Sequence, residues 1–280
     1  LGFALSLDGG ATFEPARRII ANIRGIRSSG TNKGIRAAAF PVMAADLSNS
    51  PRRGTLYAVW ANRGVPGSNT GNDVDGYIIK STDNGATWSS PTRINQDAPN
   101  LGKQHFFHWI ACDAANGNLS VIYYDDRNVS SVNAETFVSN STNGGATWTD
   151  FRVSDVAFRP APIPGLATGY FGDYLGITAL GGKVYPAWTD NRDGRAMTYV
   201  SPFILEQDSI PPAAITDLSA SLPASNGIIL QWTARGDDAD SGRASSYDIR
   251  YALAPIDSLT FATATRAPNR LVPHLPGTVE

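Results

Sequence analysis

The residues best equipped for chemistry fall in a few short stretches. Gly169-Tyr-Phe-Gly-Asp-Tyr174 puts two phenols, Tyr170 and Tyr174, and one carboxylate, Asp173, into a turn bracketed by glycines. Such a segment serves either as a ligand-contact loop or as a packed aromatic corner. Arg63, Arg127 and Arg192 stand at equivalent places in three repeats, each beside an Asp or Asn. A guanidinium fork matches a carboxylate bidentately. The three are therefore expected either to converge on one anion or to be tied singly to their neighbours. His105-Phe-Phe-His-Trp109 offers an aromatic platform on which His108 and Trp109 can stack against a sugar ring. Its two histidines have no clear third ligand, so no metal site is expected. Glu135 and Glu14 are the glutamates of the first two hundred residues.

Something must position these groups, and the repeats say what. Three octets share the pattern S-x-[DN]-x-G-x-T-[WF]: Ser6-Leu-Asp-Gly-Gly-Ala-Thr-Phe13, Ser81-Thr-Asp-Asn-Gly-Ala-Thr-Trp88 and Ser141-Thr-Asn-Gly-Gly-Ala-Thr-Trp148. Each follows a short apolar run and precedes another extended segment, as in a hairpin. Asp8, Asp83 and Asn143 can accept hydrogen bonds from backbone N–H groups just downstream. Gly10, Gly85 and Gly145 can take positive φ. Phe13, Trp88 and Trp148 restart a strand and can bury their rings beside it. The structural reading accounts for every fixed position of the octet.

A second repeat interleaves with the first. Pro41–Asp46 leads to Thr55–Trp60, Trp109–Asp113 to Leu119–Tyr123, and Tyr174–Thr178 to Lys183–Trp188. Tyr123 lies 63 residues after Trp60, and Trp188 lies 65 after Tyr123. Each period holds strand, strand, long loop, strand, octet turn and strand, the pattern of a propeller blade.

These octets are similar to the Asp-box, or bacterial neuraminidase repeat, and residues 1–205 resemble the sialidase-like β-propeller family. Asn143 in place of Asp and Phe13 in place of Trp are the departures. The resemblance implies an all-β chain holding about three blades of a six-bladed propeller, with the rest of the ring outside this sequence. It places the ligand on the face opposite the octets, at loops 62–75, 125–134 and 190–195 and at connections 26–40, 95–108 and 156–173. It implies an exo-α-sialidase-like glycoside hydrolase acting on terminal sialic acid, secreted or at the cell surface of a bacterial-type host. Three arginines would hold the substrate carboxylate, with Arg63, Arg127 and Arg192 as candidates, beside His108 and Trp109. A tyrosine would be the nucleophile (Tyr170 or Tyr174), Asp173 the acid/base and Glu135 the activating carboxylate. The family's Phe/Tyr-Arg-Ile-Pro motif is not found. Two alternatives stay open: a non-catalytic extracellular propeller that binds glycan or protein, and a propeller glycosidase using two carboxylates on another glycan.

From Asp208 the character changes. Residues 208–280 read as a proline linker followed by a segment similar to a truncated fibronectin type III sandwich. Strands are expected at Gly227–Thr233, with Trp232, and at Ser246–Tyr251, with Tyr247. The boundary falls between residues 207 and 208.

Composition narrows the function classes. In 280 residues, 23 basic and 25 acidic side chains leave a formal charge of −2, which is no footprint for nucleic acid. No apolar run approaches the ~20 residues of a membrane-spanning helix. One cysteine, Cys112, excludes an internal disulfide. No cofactor is expected, the implied partner is a glycan, and oligomeric state is not encoded in any of these features.

Overall fold

The computed structural model describes residues 1–26, 31–205, 211–222, 227–237, 239–244, 246–269 and 271–280. The chain divides into two units, Leu1–Leu205 and Glu206–Glu280. It is all-β: the described residues hold strands, turns and one 3-10 turn at Phe261–Thr263. Among them, no helix is long and apolar enough to cross a membrane.

In the first unit, β1 (Gly2–Phe3) and β2 (Arg17–Arg18) pair antiparallel around the first octet. Then come two complete four-stranded antiparallel meanders. One is β3 (Val42–Ala45), β4 (Leu56–Arg63), β5 (Val74–Ser81) and β6 (Thr92–Arg93). The next is β7 (His105–Cys112), β8 (Leu119–Asp125), β9 (Glu135–Ser141) and β10 (Thr149–Arg152). A further sheet pairs β11 (Gly176–Leu180) with β12 (Lys183–Asp190). Two short strands, β13 (Met197–Val200) and β14 (Phe203–Ile204), share the other edge of β12. Ser201-Pro202 separates them, and proline has no N–H to give a ladder. We number these sheets one to four, from β1–β2 to β11–β14.

Near-continuous apolar runs such as Leu56-Tyr-Ala-Val-Trp60 reflect burial on both faces. Successive side chains of a strand point to opposite sides. Tyr57 and Val59 enter the core shared with Ile110, Val121 and Tyr123 of the third sheet. Ala58 and Trp60 turn the other way, toward Tyr77, Ile79, Leu1, Ile19 and Trp88. In β8, Val121 and Tyr123 face back while Ile122 and Tyr124 face forward, to Phe171, Leu175 and Trp188. β4 and β8 are each thereby packed on both faces.

All three octets fold into one structure. The Ser6, Ser81 and Ser141 hydroxyls accept from the N–H of Gly10 (2.8 Å), Gly85 (2.8 Å) and Gly145 (2.9 Å). Asp8 and Asp83 accept from both the N–H and the hydroxyl of Thr12 and Thr87. These bonds, the Thr hydroxyl's first, hold both carboxyls at about 2, well below the usual carboxylate range. Asn143 reproduces the turn by accepting from Thr147 N–H and donating its amide to the Thr147 hydroxyl (2.8 Å). The two central residues of every turn have positive φ, including Asn84 at 58° beside Gly85 at 83°. Trp148 is buried and Trp88 half-buried, but Phe13 is 64% exposed, against the expected burial.

The second and third octets also join sheets. Arg17 donates to the carbonyl of Gly85, and Phe3 covers that glycine so closely that a β-carbon would meet its ring at 2.5 Å. One sheet on, Lys80 donates to the carbonyl of Gly144 (3.1 Å), and Arg52 lies where that glycine's β-carbon would be.

The second unit is sparse. β15 (Ser219–Ser221) pairs with β16 (Ile229–Gln231), and β17 (Arg250–Tyr251) with β18 (Thr265–Arg266). The strands expected at 227–233 and 246–251 are thus shorter than their patterns, and Trp232 and Tyr247 lie just outside them. The two rings still meet edge to face at 5.0 Å, and Trp232 is buried. The Tyr247 hydroxyl donates to Glu280 (2.9 Å). Residues 206–210, where the linker begins, lie outside the described residues.

Candidate functional site

Three inner strands run in one register. Val42, Trp109 and Gly176 pair with Val59, Ile122 and Ala187, each of which precedes the repeated aromatic Trp60, Tyr123 or Trp188. Phe40 and Tyr174 each stand two residues before this level, at the mouths of β3 and β11. Both rings meet near Trp109. Tyr174 lies 5.7 Å from Phe40 and meets Trp109 edge-on at 5.6 Å. Tyr174 is 60% and Phe40 49% exposed, so two of the three residues are open to solvent.

Arg36 fastens the glycine-bracketed loop beside them. Its N–H donates to the Gly169 carbonyl (2.6 Å). Its guanidinium lies 5.0 Å from the Tyr170 ring and gives bonds of 3.0 and 3.2 Å to the two Asp173 oxygens. Gly169 has φ of 74°, and a β-carbon there would stand 3.2 Å from Arg36 N. The structure therefore brings Tyr170, Asp173, Tyr174 and Trp109 together, and adds Arg36 and Phe40. Both additions sit in a stretch without repeat or motif. Their signal in the sequence is their place in connection 26–40, one of the segments expected on the ligand face.

The other candidates lie elsewhere. Arg127 is held by Asp125 and Asp150 and stacks 4.4 Å from Phe137. Arg192 is held by Asp190 and Asp155 and stacks 4.0 Å from Tyr199. Each guanidinium is spent on its own pair of carboxylates, so they do not converge on one anion. Arg63 is not their equivalent. Counted from Trp60, Tyr123 and Trp188, the residue matching Arg127 and Arg192 is Gly64, and Arg63 ends β4 opposite Val74. Glu135 accepts from Arg152 (2.6 Å) and Asn128 (3.0 Å) rather than from a tyrosine.

His108 is not on a platform. Phe107 has φ of 59°, and the register jumps from Phe106↔Tyr124 to Trp109↔Ile122. This bulge gives two residues to one partner and turns His108 inward. It is buried, stacked on Tyr123 at 5.0 Å. Burial first, then the charge on His105, pushes it down to about 3.

His105 lies in a different setting. It is fully buried, 3.4 Å from Asp75, 3.3 Å from Asp97 and 3.4 Å from Asp125. Burial lowers its basicity, but these carboxylates, Asp125 foremost, outweigh it and raise the group to about 10. Asp75, Asp97 and His105 bring ligand atoms within 4.8 Å of one another, a spacing a metal could bridge. The same two oxygens, however, already accept from Arg93 (2.9 Å each) and from Asn95 (2.8 and 2.7 Å). The negative charge is met by guanidinium and imidazolium. Lys33 is likewise wholly buried, its Nζ 2.6 Å from Asp126.

No family model matches the chain. Over 50 residues it is 52% identical to calcium-activated chloride channel regulator 1 of Mus musculus and 46% identical to that of Homo sapiens. Those matches take in 18% of this chain, and the chain spans 6% of those relatives' length. Among solved structures, the Penicillium chrysogenum α-L-arabinanase complexed with arabinobiose aligns with 80% of this chain and 68% of its own, at 14% identity and TM-score 0.40. A Hadza microbial sialidase aligns with 72% of this chain and 45% of its own, at 12% identity and TM-score 0.41. The intramolecular trans-sialidase of Ruminococcus gnavus, in complex with oseltamivir carboxylate, aligns with 83% and 45%, at 15% identity and TM-score 0.36.

Proposed function

We propose that the Leu1–Leu205 unit is part of a sialidase-like propeller that recognises glycans outside the cell, with the ligand at the 169–174 loop. One observation carries this reading: Phe40, Trp109 and Tyr174 form a partly exposed ring cluster beside the Arg36–Asp173 pair. Rings with open faces cover the C–H surface of a sugar, and a carboxylate rim accepts its hydroxyls. Glu206–Glu280 is proposed as a fibronectin type III-like module, supported by the Trp232–Tyr247 contact.

Hydrolysis is the second reading, favoured by two phenols flanking one carboxylate within five residues, Tyr170 to Tyr174. Binding is preferred because Asp173 is engaged by Arg36 and Glu135 by Arg152. The test is a glycan array probed with the whole chain and its Tyr174→Ala variant, alongside release of fluorophore from aryl glycosides. Binding lost in the variant, without turnover, supports recognition. Turnover abolished by Tyr170→Phe or Tyr174→Phe would replace it with the enzyme reading. A folded chain that binds and cleaves nothing would end both.

A further inference from the structure

Resting on that reading, we infer that the 169–174 site takes a neutral saccharide, seated on Tyr174 and its neighbouring rings, and discriminates against sugars that carry a carboxylate. The argument is one of charge. Arg36 is the guanidinium of this ring cluster, and both oxygens of Asp173 already face its Nη2. The pair is formally neutral. A ligand carboxylate reaching Arg36 would have to displace a tethered aspartate, which competes at high effective concentration, and would then lie beside it as a like charge.

Three other cations among the described residues are already committed. Lys33, three residues before Arg36, has 0% side-chain exposure and is spent on Asp126. Arg127 and Arg192 are each neutralised by two aspartates.

The same groups suit an uncharged sugar. Asp173 retains 17% side-chain exposure, and an ionised carboxylate is an acceptor that sugar hydroxyls can satisfy. Arg36, 42% exposed along its side chain, still offers N–H groups to hydroxyl oxygens. The faces of Tyr174 and Phe40 supply the apolar seat.

The experiment is calorimetric titration of the whole chain with neutral pentosides and hexosides and with one galactoside carrying or lacking a terminal sialic acid. Neutral ligands are expected to bind, with affinity falling about tenfold in Tyr174→Ala. The sialic acid should bring no gain. Asp173→Asn unmasks the Arg36 charge and should raise affinity for the sialylated galactoside about fivefold, while leaving the neutral one unimproved. Phe13→Ala, on an octet turn, is the unaffected control. Wild-type binding of the sialylated ligand at least about tenfold tighter than its neutral partner would overturn the inference. So would an Asp173→Asn variant, folded by near-ultraviolet circular dichroism, with no gain for the charged ligand. If the folded chain binds none of the sugars, the glycan reading itself falls, a result separable from a wrong charge preference.

Discussion

The imidazole of His108 lies against the phenol of Tyr123, centroids 5.0 Å apart and planes 25° from parallel. Its Nε2 stands 2.2 Å from the point a β-carbon on Gly76 would occupy. A glycine of the second sheet thus makes room for a ring of the third. Both rings are buried, so neither can swing clear. Gly76→Ala is expected to destabilise the chain by about 1–3 kcal/mol through overpacking. Urea unfolding followed by tryptophan fluorescence measures it, and an unchanged midpoint would show that the two sheets are not in this contact.

The His105 cluster makes stability depend on pH at both ends. Burial acts to raise the Asp75 carboxyl, but its bonds from His105, Arg93 and Asn95 prevail and hold it at about 2, against a reference of 3.8. Its contribution is complete above about pH 4 and is lost as pH falls toward 2. The His105 group is raised from 6.5 to about 10. Its contribution is complete below about pH 6.5 and fades as pH rises toward 10. Thermal melts across pH should show a plateau between these limbs, and His105→Gln should flatten the alkaline limb while lowering the plateau. An alkaline limb untouched by that change would assign it to another group.

Arg127 is expected to matter for stability and not for ligand. Arg127→Ala leaves Asp125, fully buried at its side chain, without its guanidinium. The expected loss is about 3 kcal/mol. Glycan affinity, measured well below the melting temperature, should not change. A selective loss of binding with an unchanged melt would return Arg127 to the ligand.

The aromatics closing the octets should differ sharply. Trp148 is 8% exposed within the core shared by the second and third sheets, and Trp148→Ala is expected to cost about 3–5 kcal/mol. Phe13, 64% exposed, should cost no more than about 0.5 kcal/mol on the same change. Chemical unfolding of the two variants under one set of conditions decides it.

What could be read from the sequence follows from the range of the interactions. The octet turn is closed by bonds spanning four residues or fewer, Ser81 to Gly85 and Asp83 to Thr87, so eight letters specify it. The strand–strand–loop–strand order followed from two-sided burial of the runs around Trp60 and Tyr123. The Arg36–Asp173 pair spans 137 residues, and no local pattern announces it. The platform expected of His108 and Trp109 loses His108 because one left-handed residue, Phe107, opens a bulge that turns its ring inward, and no local pattern announces that bulge. Arg63 was misaligned by one position because a repeated Asx-Arg pair tolerates a slip that the aromatic before it does not.

The joints made by the octets have a direction. In both, a cation from one sheet, Arg17 or Lys80, grips a glycine carbonyl of the next, Gly85 or Gly144. The row of sheets therefore has a grip end and a gripped end, like links that hook only one way. Exchanging the second and third sheets would part Lys80 from Gly144 and leave Asn140, which is no cation, in the place of the hook, although both sheets carry the same turn and the same four strands.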